Sequence, residues 1–375
     1  MTPSHERLLD SVDESPTPHD RRPRPVDRIA HPVQLVQPDG RRVHDREYWG
    51  LVSDVTADDM LALYTDMVVA RRIDTEATAL QRQGELGLWA PLLGQEAAQV
   101  GSARALARDD YVFTSYREHA VAYCRGVPVE KLTALWRGTA HAGWDPTEYG
   151  ITNPAIIVGA QGLHATGYAM GTRFDGVDAA TVAYFGDGAT SEGDISEALS
   201  FSVAFGAGVV FFCQNNHWAI SEPVSLQTPV PLATRAAGFG MPAIRVDGND
   251  VLAVLAVTRA AAHRARTGGG PTFVEAMTYR MGPHTTSDDP TRYRPGAERD
   301  VWAGRDPLLR LERLLDRENV LTDDARSRVS ATADDVAARL RAATVGAPDP
   351  DPATLLDHVY AEPHSLVDSQ KEALR

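Results

Sequence analysis

The sequence predicts a doubly wound α/β domain, in which helices cover both faces of a mostly parallel sheet. One observation is a set of four segments that are apolar almost throughout, as strands buried on both faces are: TVAYF, VVFFC, AIRVDG and TFVEAMTYR. A second is that the helical segments DISEALSFSVAFG and VLAVLAVTRAAAHRAR lie among them. Buried strands that alternate with helices of about 10 to 15 residues are typical of a parallel sheet.

The chain before these strands is mainly helical by its pattern. Apolar residues recur every three or four positions from Val55 to about Leu86, and GQEAAQVGSARALA, from Gly94, predicts a second helix. YVFTSYREH predicts a short strand that runs into a loop, and HAVAYCRG and PVEKLTALWRG predict further helices.

Both ends of the chain differ from this domain. Residues 1–30 combine prolines and charges without periodicity, so we expect a disordered lead-in that resembles neither a signal peptide nor a transit peptide. From Arg299 the chain is charged and helical, and VGAPDPDPA interrupts it as a turn or linker. We therefore place the α/β domain at residues 31–345, and at residues 346–375 a tail that we expect to contact partner subunits.

Composition excludes several classes of function. A net charge of −14 argues against a nucleic-acid partner, since few phosphates could be neutralised. No apolar run approaches the roughly 18 to 20 residues of a membrane span. The two cysteines, Cys124 and Cys213, are far apart in apolar surroundings, which favours a reducing cytoplasm over a disulfide framework. The two lysines, Lys131 and Lys371, have no catalytic surroundings, so Schiff-base chemistry is not expected.

Polar residues follow two of the predicted strands. Gly186, Asp187 and Gly188 follow TVAYF, and Asn215 and Asn216 follow VVFFC, at the spacing of one crossover with its helix. Ligands of open α/β sheets bind at these carboxyl ends, where glycines allow close backbone approach and a helix start attracts anions. Carboxylate and amide oxygens suit Mg²⁺ that also binds phosphate. The pattern predicts a magnesium diphosphate held between two strand ends.

A dinucleotide site is a weaker interpretation of the same glycines, because Thr190 and Ser191 stand where the third glycine of GxGxxG would fall. GDG followed by NN at this spacing instead resembles the thiamine diphosphate motif, at residues 184–218. From about Pro32 to Ser365 the chain resembles the alpha subunit of the decarboxylating first component of 2-oxo acid dehydrogenase complexes, in its two-chain bacterial form. The matching segments are GELGLWAPLLGQEAAQ, TSYREH, IVGAQGLHATG, YFGDGATSEGD, QNNHWAIS, IRVDGND and GPHTTSDDPTRYR.

The resemblance implies the thiamine diphosphate-binding fold and a role for each matching residue. The residues that it implies as cofactor contacts are Tyr116, Arg117, Val158, Gly186, Asp187, Gly188, Ala189, Asn216, Trp218 and His284. It gives Mg²⁺ three ligands: Asp187, Asn216 and the backbone carbonyl of Trp218. Gly188 and Ala189 would donate backbone N–H groups to the diphosphate. His284, on a mobile loop, would be the catalytic residue, as a phosphate contact and proton donor.

Three positions depart from the family pattern. Gln214 stands where many relatives carry arginine or glutamate, and Ala90 stands where some place a histidine near the cofactor. Ala160 replaces the potassium-binding threonine of the branched-chain members, so a potassium site does not follow from the resemblance.

The implied activity is oxidative decarboxylation of a 2-oxo acid, with transfer of the acyl group to a lipoyl group on a separate acyltransferase. In two-chain members the glutamate that activates the cofactor comes from the beta subunit, and no second α/β domain supplies it here. We therefore expect two alpha and two beta chains with cofactor at each alpha–beta interface, and no turnover by this chain alone. A stand-alone thiamine enzyme would need that second domain.

The sequence leaves two 2-oxo acids as candidate substrates. IVGAQ and GPHT…DDPTRYR resemble the pyruvate enzymes, whereas GATSEGD and HVYAEP resemble the branched-chain enzymes, which act on 3-methyl-2-oxobutanoate. We expect the alpha subunit of an acetyl-transferring pyruvate dehydrogenase, with the branched-chain enzyme as the alternative and acetoin dehydrogenase third. A non-catalytic homologue would carry a damaged GDG, NN or loop histidine, and all three are intact.

Overall fold

A five-stranded parallel sheet lies at the centre of the molecule, in a computed structural model that describes residues 25–140 and 142–374. The strands in chain order are β1 (Tyr111–Phe113), β2 (Thr181–Gly186), β3 (Val209–Asn215), β4 (Trp218–Ala219), β5 (Glu222–Pro223), β6 (Ala243–Asp247) and β7 (Thr272–Met277). The sheet order is β1-β2-β3-β7-β6, while β4 and β5 form a separate antiparallel pair. The predicted parallel sheet is confirmed.

Fifteen helices are described in these ranges. They are α1 (Pro25–Ala30), α2 (Ala57–Arg82), α3 (Glu96–Arg104), α4 (His119–Cys124), α5 (Ala134–Arg137), α6 (Pro146–Tyr149), α7 (Ala160–Phe174), α8 (Gly193–Ala204), α9 (Val224–Gln227), α10 (Leu232–Ala237), α11 (Val251–Arg266), α12 (Gly296–Ala303), α13 (Pro307–Arg317), α14 (Asp323–Gly346) and α15 (Ser365–Ala373). Short 3₁₀ turns lie at Trp49–Val52, Val129–Lys131, Asp187–Ser191, Pro290–Arg292 and Pro352–Leu356.

The strands are apolar throughout because helices cover both faces of the sheet. Tyr184 and Phe212 point to a core shared with α2, α3, α11 and α14. Their neighbours Phe185 and Phe211 point to a second core, shared with α7, α8 and α10. Successive side chains of a strand face opposite sides, so an apolar residue is needed at every position.

The strand register brings the polar residues after the strands to one edge. Gly186, the last residue of β2, pairs with Gln214 of β3, and Asn215 of β3 pairs with Met277 of β7. Three neighbouring strands therefore end at the same level. The chain segments that leave them meet at this edge.

Two segments differ from the predicted elements. Helix α7 was not predicted, because Gly162, Gly167 and Gly171 weaken its helical pattern. The predicted helix PVEKLTALWRG is instead a 3₁₀ turn followed by the short helix α5.

The predicted disordered lead-in lies outside the described residues except for 25–30. Those six residues form α1, and the lead-in stays a prediction for the residues before them. Ile29 is 8% exposed against the sheet core, and Arg28 forms two hydrogen bonds with Asp45, at 2.7 and 2.9 Å, which hold this helix to the domain. Within the described ranges, no helix has the length and apolar character that crossing a membrane would require.

Candidate active site

A cleft of about 230 Å³ opens at the carboxyl ends of β2 and β3. The 3₁₀ turn Asp187–Ser191 directly follows β2, and β4 follows β3 after a two-residue link. The ten residues predicted to contact a cofactor all line this cleft: Tyr116, Arg117, Val158, Gly186, Asp187, Gly188, Ala189, Asn216, Trp218 and His284. The structure thus brings together residues from five separate chain segments. Their individual roles stay predictions.

Asp187 is a buried carboxylate with one oxygen left free. Its side chain is 1% exposed, and its Oδ2 accepts a hydrogen bond from Gln227 Nε2 at 3.0 Å. Its Oδ1 has no hydrogen-bond partner in the described part of the chain. Burial raises the pKa of this carboxyl group to about 6. A buried, unpartnered carboxylate oxygen is costly unless a cation or donor reaches it.

The glycine motif forms a tight turn rather than the direct start of a helix. Asp187–Ser191 is the 3₁₀ turn, and α8 begins only at Gly193. The first N–H groups of a helical turn have no partner within it, so those of Gly188 and Ala189 can donate to an anion. A side chain at Gly188 would place its Cβ 2.7 Å from the Cβ of Ala219. The glycine is therefore required by close packing against β4.

Asn216 and Trp218 line the same cleft as this turn. Asn216 is 5% exposed, and its Nδ2 donates to Gln95 Oε1 at 3.2 Å. Its Oδ1 accepts from the backbone N–H of Trp218 at 3.3 Å. The Trp218 carbonyl accepts from Arg280 Nη1 at 2.7 Å. Each of these oxygens has a second lone pair, so both can also bind a cation.

Two guanidinium groups and an imidazole form the cationic side of the cleft. Arg117 and Arg280 are 5% and 1% exposed, and neither has a carboxylate among its hydrogen-bond partners in the described ranges. Arg117 Nη2 lies 3.2 Å and Arg280 Nη1 lies 3.4 Å from Nδ1 of His284. Burial and the neighbouring Arg117 lower the pKa of Arg280 to about 10. Buried cations without a counter-ion indicate an anion-binding site.

The two arginines also fix the tautomer of His284. Guanidinium nitrogens can only donate, so Nδ1 of His284 must be the acceptor and Nε2 must carry the proton. Burial and the two guanidinium groups lower the pKa of His284 to about 3, so the ring is neutral near pH 7. The His284 backbone N–H donates to Asp288 Oδ2 at 2.9 Å, and the Tyr116 ring lies edge-on, 5.9 Å away. The neutral ring therefore has one proton to donate, at Nε2.

Gln214 pairs with an acid that the sequence did not single out. Its Nε2 donates to Glu118 Oε1 at 2.7 Å, and Ser115 Oγ donates to Glu118 Oε2 at 2.7 Å. Glu118 is 4% exposed, and burial raises its pKa. At position 214, where the resemblance implies arginine or glutamate in many relatives, this chain has an amide that is hydrogen-bonded to a neighbouring carboxyl group. Any anion here depends more heavily on Arg117 and Arg280.

Sequence reasoning missed several lining residues. They are Gln95, Ser115, Glu118, Gln161, Glu192, Ala219, Ile220 and Arg280. For Arg280 a signal existed, because it follows TFVEAMTY at the end of a third parallel strand. For Gln95, Glu118 and Gln161, which lie in or beside helices, the sequence offered no comparable signal.

The lining residues fit a magnesium diphosphate. Five buried polar atoms of the cleft have no partner in the described part of the chain: Gln95 Nε2, Gln161 Oε1, Asp187 Oδ1, Gln214 Oε1 and Arg280 Nε. No cluster of three or more histidine, cysteine, aspartate or glutamate side chains that could hold a metal occurs among the described residues. A metal bound by Asp187 would thus depend on amide, carbonyl and ligand oxygens, which is the usual set for Mg²⁺ on a phosphate.

Comparison with known proteins identifies the family. Residues 64–350 match the family described as "Dehydrogenase E1 component". The chain is 48% identical over 345 residues to the 3-methyl-2-oxobutanoate dehydrogenase subunit alpha of Mycobacterium tuberculosis, covering 92% of this chain and 93% of that protein. It is 39% identical over 299 residues to the pyruvate dehydrogenase E1 component subunit alpha of Staphylococcus aureus, covering 79% of this chain and 80% of that protein. The resemblance seen in the sequence is confirmed, and the chain belongs to the dehydrogenase E1 component family.

Proposed function

We propose that this chain is the alpha subunit of a branched-chain 2-oxo acid dehydrogenase that uses thiamine diphosphate and Mg²⁺. Membership of the E1 family implies the dehydrogenase activity and the organic cofactor. The observation that carries the site is the buried Oδ1 of Asp187, which has no hydrogen-bond partner among the described residues, in a cleft with two arginines that have no carboxylate partner there. A cation on the aspartate and an anion on the arginines would satisfy both.

The substrate proposal differs from the pyruvate preference drawn from the sequence. The relative that acts on 3-methyl-2-oxobutanoate is 48% identical over 92% of this chain, whereas the pyruvate relative is 39% identical over 79%. The segment IVGAQ, which favoured pyruvate, is only five residues long, whereas the two sequence identities are measured over most of the chain. Pyruvate stays compatible with the family, and we propose 3-methyl-2-oxobutanoate as the better substrate.

In this proposal the metal and the diphosphate are held by different residues. Asp187 Oδ1, Asn216 Oδ1 and the Trp218 carbonyl would bind Mg²⁺, and Gln227 would hold the aspartate in place through its bond to Oδ2. Arg117 and Arg280 would contact the diphosphate oxygens, together with the backbone N–H groups of the turn after β2.

His284 would act through the proton on Nε2. When bound, the cofactor supplies a carbon nucleophile and accepts the electron pair released with CO₂. Because Nδ1 faces Arg117 and Arg280, the ring is held with Nε2–H free to donate to a phosphate or to a reacting oxygen. Val158, which lines the cleft and is 42% exposed, would lie against the cofactor's ring.

A beta subunit would complete the site. The relatives are named as alpha subunits, which implies a second chain. Large apolar side chains stand exposed in the segment that leads to the cleft and at its rim: Ile156 at 56%, Ile157 at 75% and Ile220 at 53%. We propose that the beta subunit covers this rim in an assembly of two alpha and two beta chains, and that the tail 346–375 contacts a partner through residues such as Leu355 and Tyr360, both exposed. A lipoyl-bearing acyltransferase would then take up the acyl group.

The proposal is tested by measuring kcat/KM of this chain co-expressed with its beta subunit. The assay contains Mg²⁺, thiamine diphosphate and an artificial electron acceptor, with pyruvate and 3-methyl-2-oxobutanoate as competing substrates. We expect a clear preference for 3-methyl-2-oxobutanoate and no turnover by the alpha chain alone. A preference for pyruvate would overturn the substrate proposal, and turnover by the alpha chain alone would contradict the shared site.

A further inference from the structure

Six consecutive residues, Trp89–Gly94, link helix α2 to the cationic side of the cleft. None of the described residues that line the cleft belongs to this segment, which we name the 89–94 bracket. Five of its six carbonyl oxygens accept hydrogen bonds from elsewhere in the fold. The pairs are Trp89 with Thr286 N at 2.9 Å, Ala90 with His119 Nε2 at 3.1 Å, Pro91 with Arg117 Nη1 at 2.5 Å, Leu93 with Met281 N at 3.0 Å, and Gly94 with Thr278 Oγ1 at 2.8 Å.

These partners belong to two chain segments that must meet at the cleft. One segment carries Arg117, and the other carries Arg280 and His284. Both arginines lie within 3.4 Å of Nδ1 of His284, so their relative position determines how the three groups face a ligand. The bracket contacts both segments through rigid backbone carbonyls. It therefore sets the distance between the two halves of the anion site.

Two buried carboxylates anchor the bracket, and Glu96 Oε2 holds only its last residue, by accepting from Gly94 N at 3.0 Å. Asp74, from α2, is 4% exposed, and its Oδ1 accepts from Trp89 Nε1 at 2.8 Å and from Leu92 N at 3.0 Å. Its Oδ2 accepts from Leu93 N at 3.1 Å. The Trp89 ring, which is fully buried, stacks on His119 at 3.9 Å. Asp74 thus fixes three of the six residues of the bracket, Trp89, Leu92 and Leu93, against α2.

Burying the Asp74 carboxylate costs free energy unless its oxygens are hydrogen-bonded. Within the described ranges Asp74 forms no ion pair, and its three partners are all neutral N–H donors. An apolar residue would leave these three N–H donors without a partner. Unpaired donors cost more free energy when they are buried than at the surface, where water can pair with them. The carboxylate is the one small group that can accept from all three at once.

We propose that Asp74 is a positioning residue for the cofactor site. It touches neither cofactor nor substrate and acts through the 89–94 bracket on Arg117, Arg280 and His284. The inference rests on the proposed function for the identity of the ligand, but the coupling between Asp74 and His284 does not. A displacement of catalytic groups by about 1 Å can cost about a hundredfold in rate, so a modest shift of the bracket would be measurable.

The first test needs no cofactor. Asp74→Asn keeps the shape of the side chain. The asparagine oxygen can still accept hydrogen bonds, but its NH₂ group would face the N–H of Leu93. In the full-length cofactor-free chain, ¹⁵N spectra should show shifted imidazole resonances for His284, assigned with a His284→Gln sample. Unchanged His284 resonances in Asp74→Asn would overturn the proposal, whatever the cofactor proves to be.

The second test measures the dissociation constant of thiamine diphosphate with Mg²⁺, and of inorganic pyrophosphate with Mg²⁺, by calorimetry on the chain co-purified with its beta subunit. We expect Asp74→Asn to weaken binding of both at least about tenfold. Binding within about twofold of the wild type would overturn the inference and leave the proposed function standing. If the wild type bound neither compound, the proposed function would fail as well.

Asp250 supplies a matched control. It is 1% exposed and also accepts from backbone N–H groups, those of Leu35, Val36, Leu252 and Ala253. Asp250→Asn should destabilise the chain at least as much as Asp74→Asn, because each of its oxygens accepts two hydrogen bonds. An equal loss of cofactor affinity in both variants would mean general destabilisation and would overturn the positioning role.

A milder variant keeps the inference testable if Asp74→Asn does not fold. Trp89→Phe removes the Nε1–H donor to Asp74 while keeping an aromatic ring against His119. We expect shifted His284 resonances and about threefold weaker cofactor binding, as one of three anchoring hydrogen bonds is lost. Unchanged resonances and affinity in this variant would contradict the inference.

Discussion

Replacing Asp187 with asparagine should stabilise the cofactor-free chain and remove its response to Mg²⁺ with thiamine diphosphate. The carboxyl group is 1% exposed, and of its two oxygens only Oδ2 has a hydrogen-bond partner in the described ranges, Gln227. Asparagine can place its oxygen at the Oδ2 position and its NH₂ group at the unpartnered position. No hydrogen bond of the free chain is lost, and a buried charge is removed.

The size of the gain follows from the pKa of Asp187. Burial raises it from 3.8 to about 6. Since one pKa unit corresponds to about 1.4 kcal/mol, the ionised group lowers the free energy of unfolding at pH 7 by about 3 kcal/mol. The unfolded chain releases this proton near pH 3.8 and the folded chain only near pH 6. The loss of stability is therefore absent below that window, grows through it and is complete above it.

Urea unfolding of both proteins, below and above this pH window, measures the effect. Without cofactor, Asp187→Asn should be up to about 3 kcal/mol more stable than the wild type above the window and nearly equal below it. With Mg²⁺ and thiamine diphosphate at about 100 times the dissociation constant, the wild type should gain about 2.7 kcal/mol and the variant nothing. A variant that is less stable than the wild type above the window, or that responds normally to cofactor, would refute the reasoning.

His284→Ala should fold normally but reduce acyl transfer to the lipoyl domain at least about a hundredfold, because the Nε2–H donor is lost; near-normal transfer would remove His284 from the catalytic residues. In the cofactor-free chain, burial and two guanidinium groups lower the pKa of His284 to about 3. The ¹⁵N shifts should therefore show that the ring is still neutral, with its one proton on Nε2, well below pH 6. A titration of the ring at the ordinary pKa of histidine would contradict this. Arg280→Met should weaken pyrophosphate binding at least about tenfold, as charge-assisted hydrogen bonds are lost. Arg310→Met, which removes a buried guanidinium paired with Asp247 outside the cleft, should leave that binding unchanged.

The position of the candidate cleft could be predicted from the sequence because it depends on local features. A glycine motif and an asparagine pair each follow a buried strand, and parallel strands end at one edge of the sheet. The register of Gly186 with Gln214 and of Asn215 with Met277 follows from that rule. The family resemblance then added Tyr116, Val158 and His284, which no local pattern indicates.

Other features depend on contacts between distant parts of the chain and could not be predicted. Asp74 and Pro91 form hydrogen bonds to Leu92 and Arg117, which are close to them only in the fold. The pairing of Gln214 with Glu118 spans 96 positions. Helix α7 was missed for a local reason, since its glycines weaken the helical pattern and its packing against α8 is tertiary.

The central claim is that Asp187 and Asn216 hold a metal on the diphosphate of the cofactor. A crystal structure of the alpha–beta assembly with thiamine diphosphate and Mn²⁺ in place of Mg²⁺ tests it most directly, through the anomalous signal of manganese. We predict one peak per alpha chain, at about 2.1 Å from Oδ1 of Asp187 and of Asn216, with the diphosphate against Arg117 and Arg280. A peak outside this cleft, or cofactor bound here with Oδ1 of Asp187 still free, would contradict the claim.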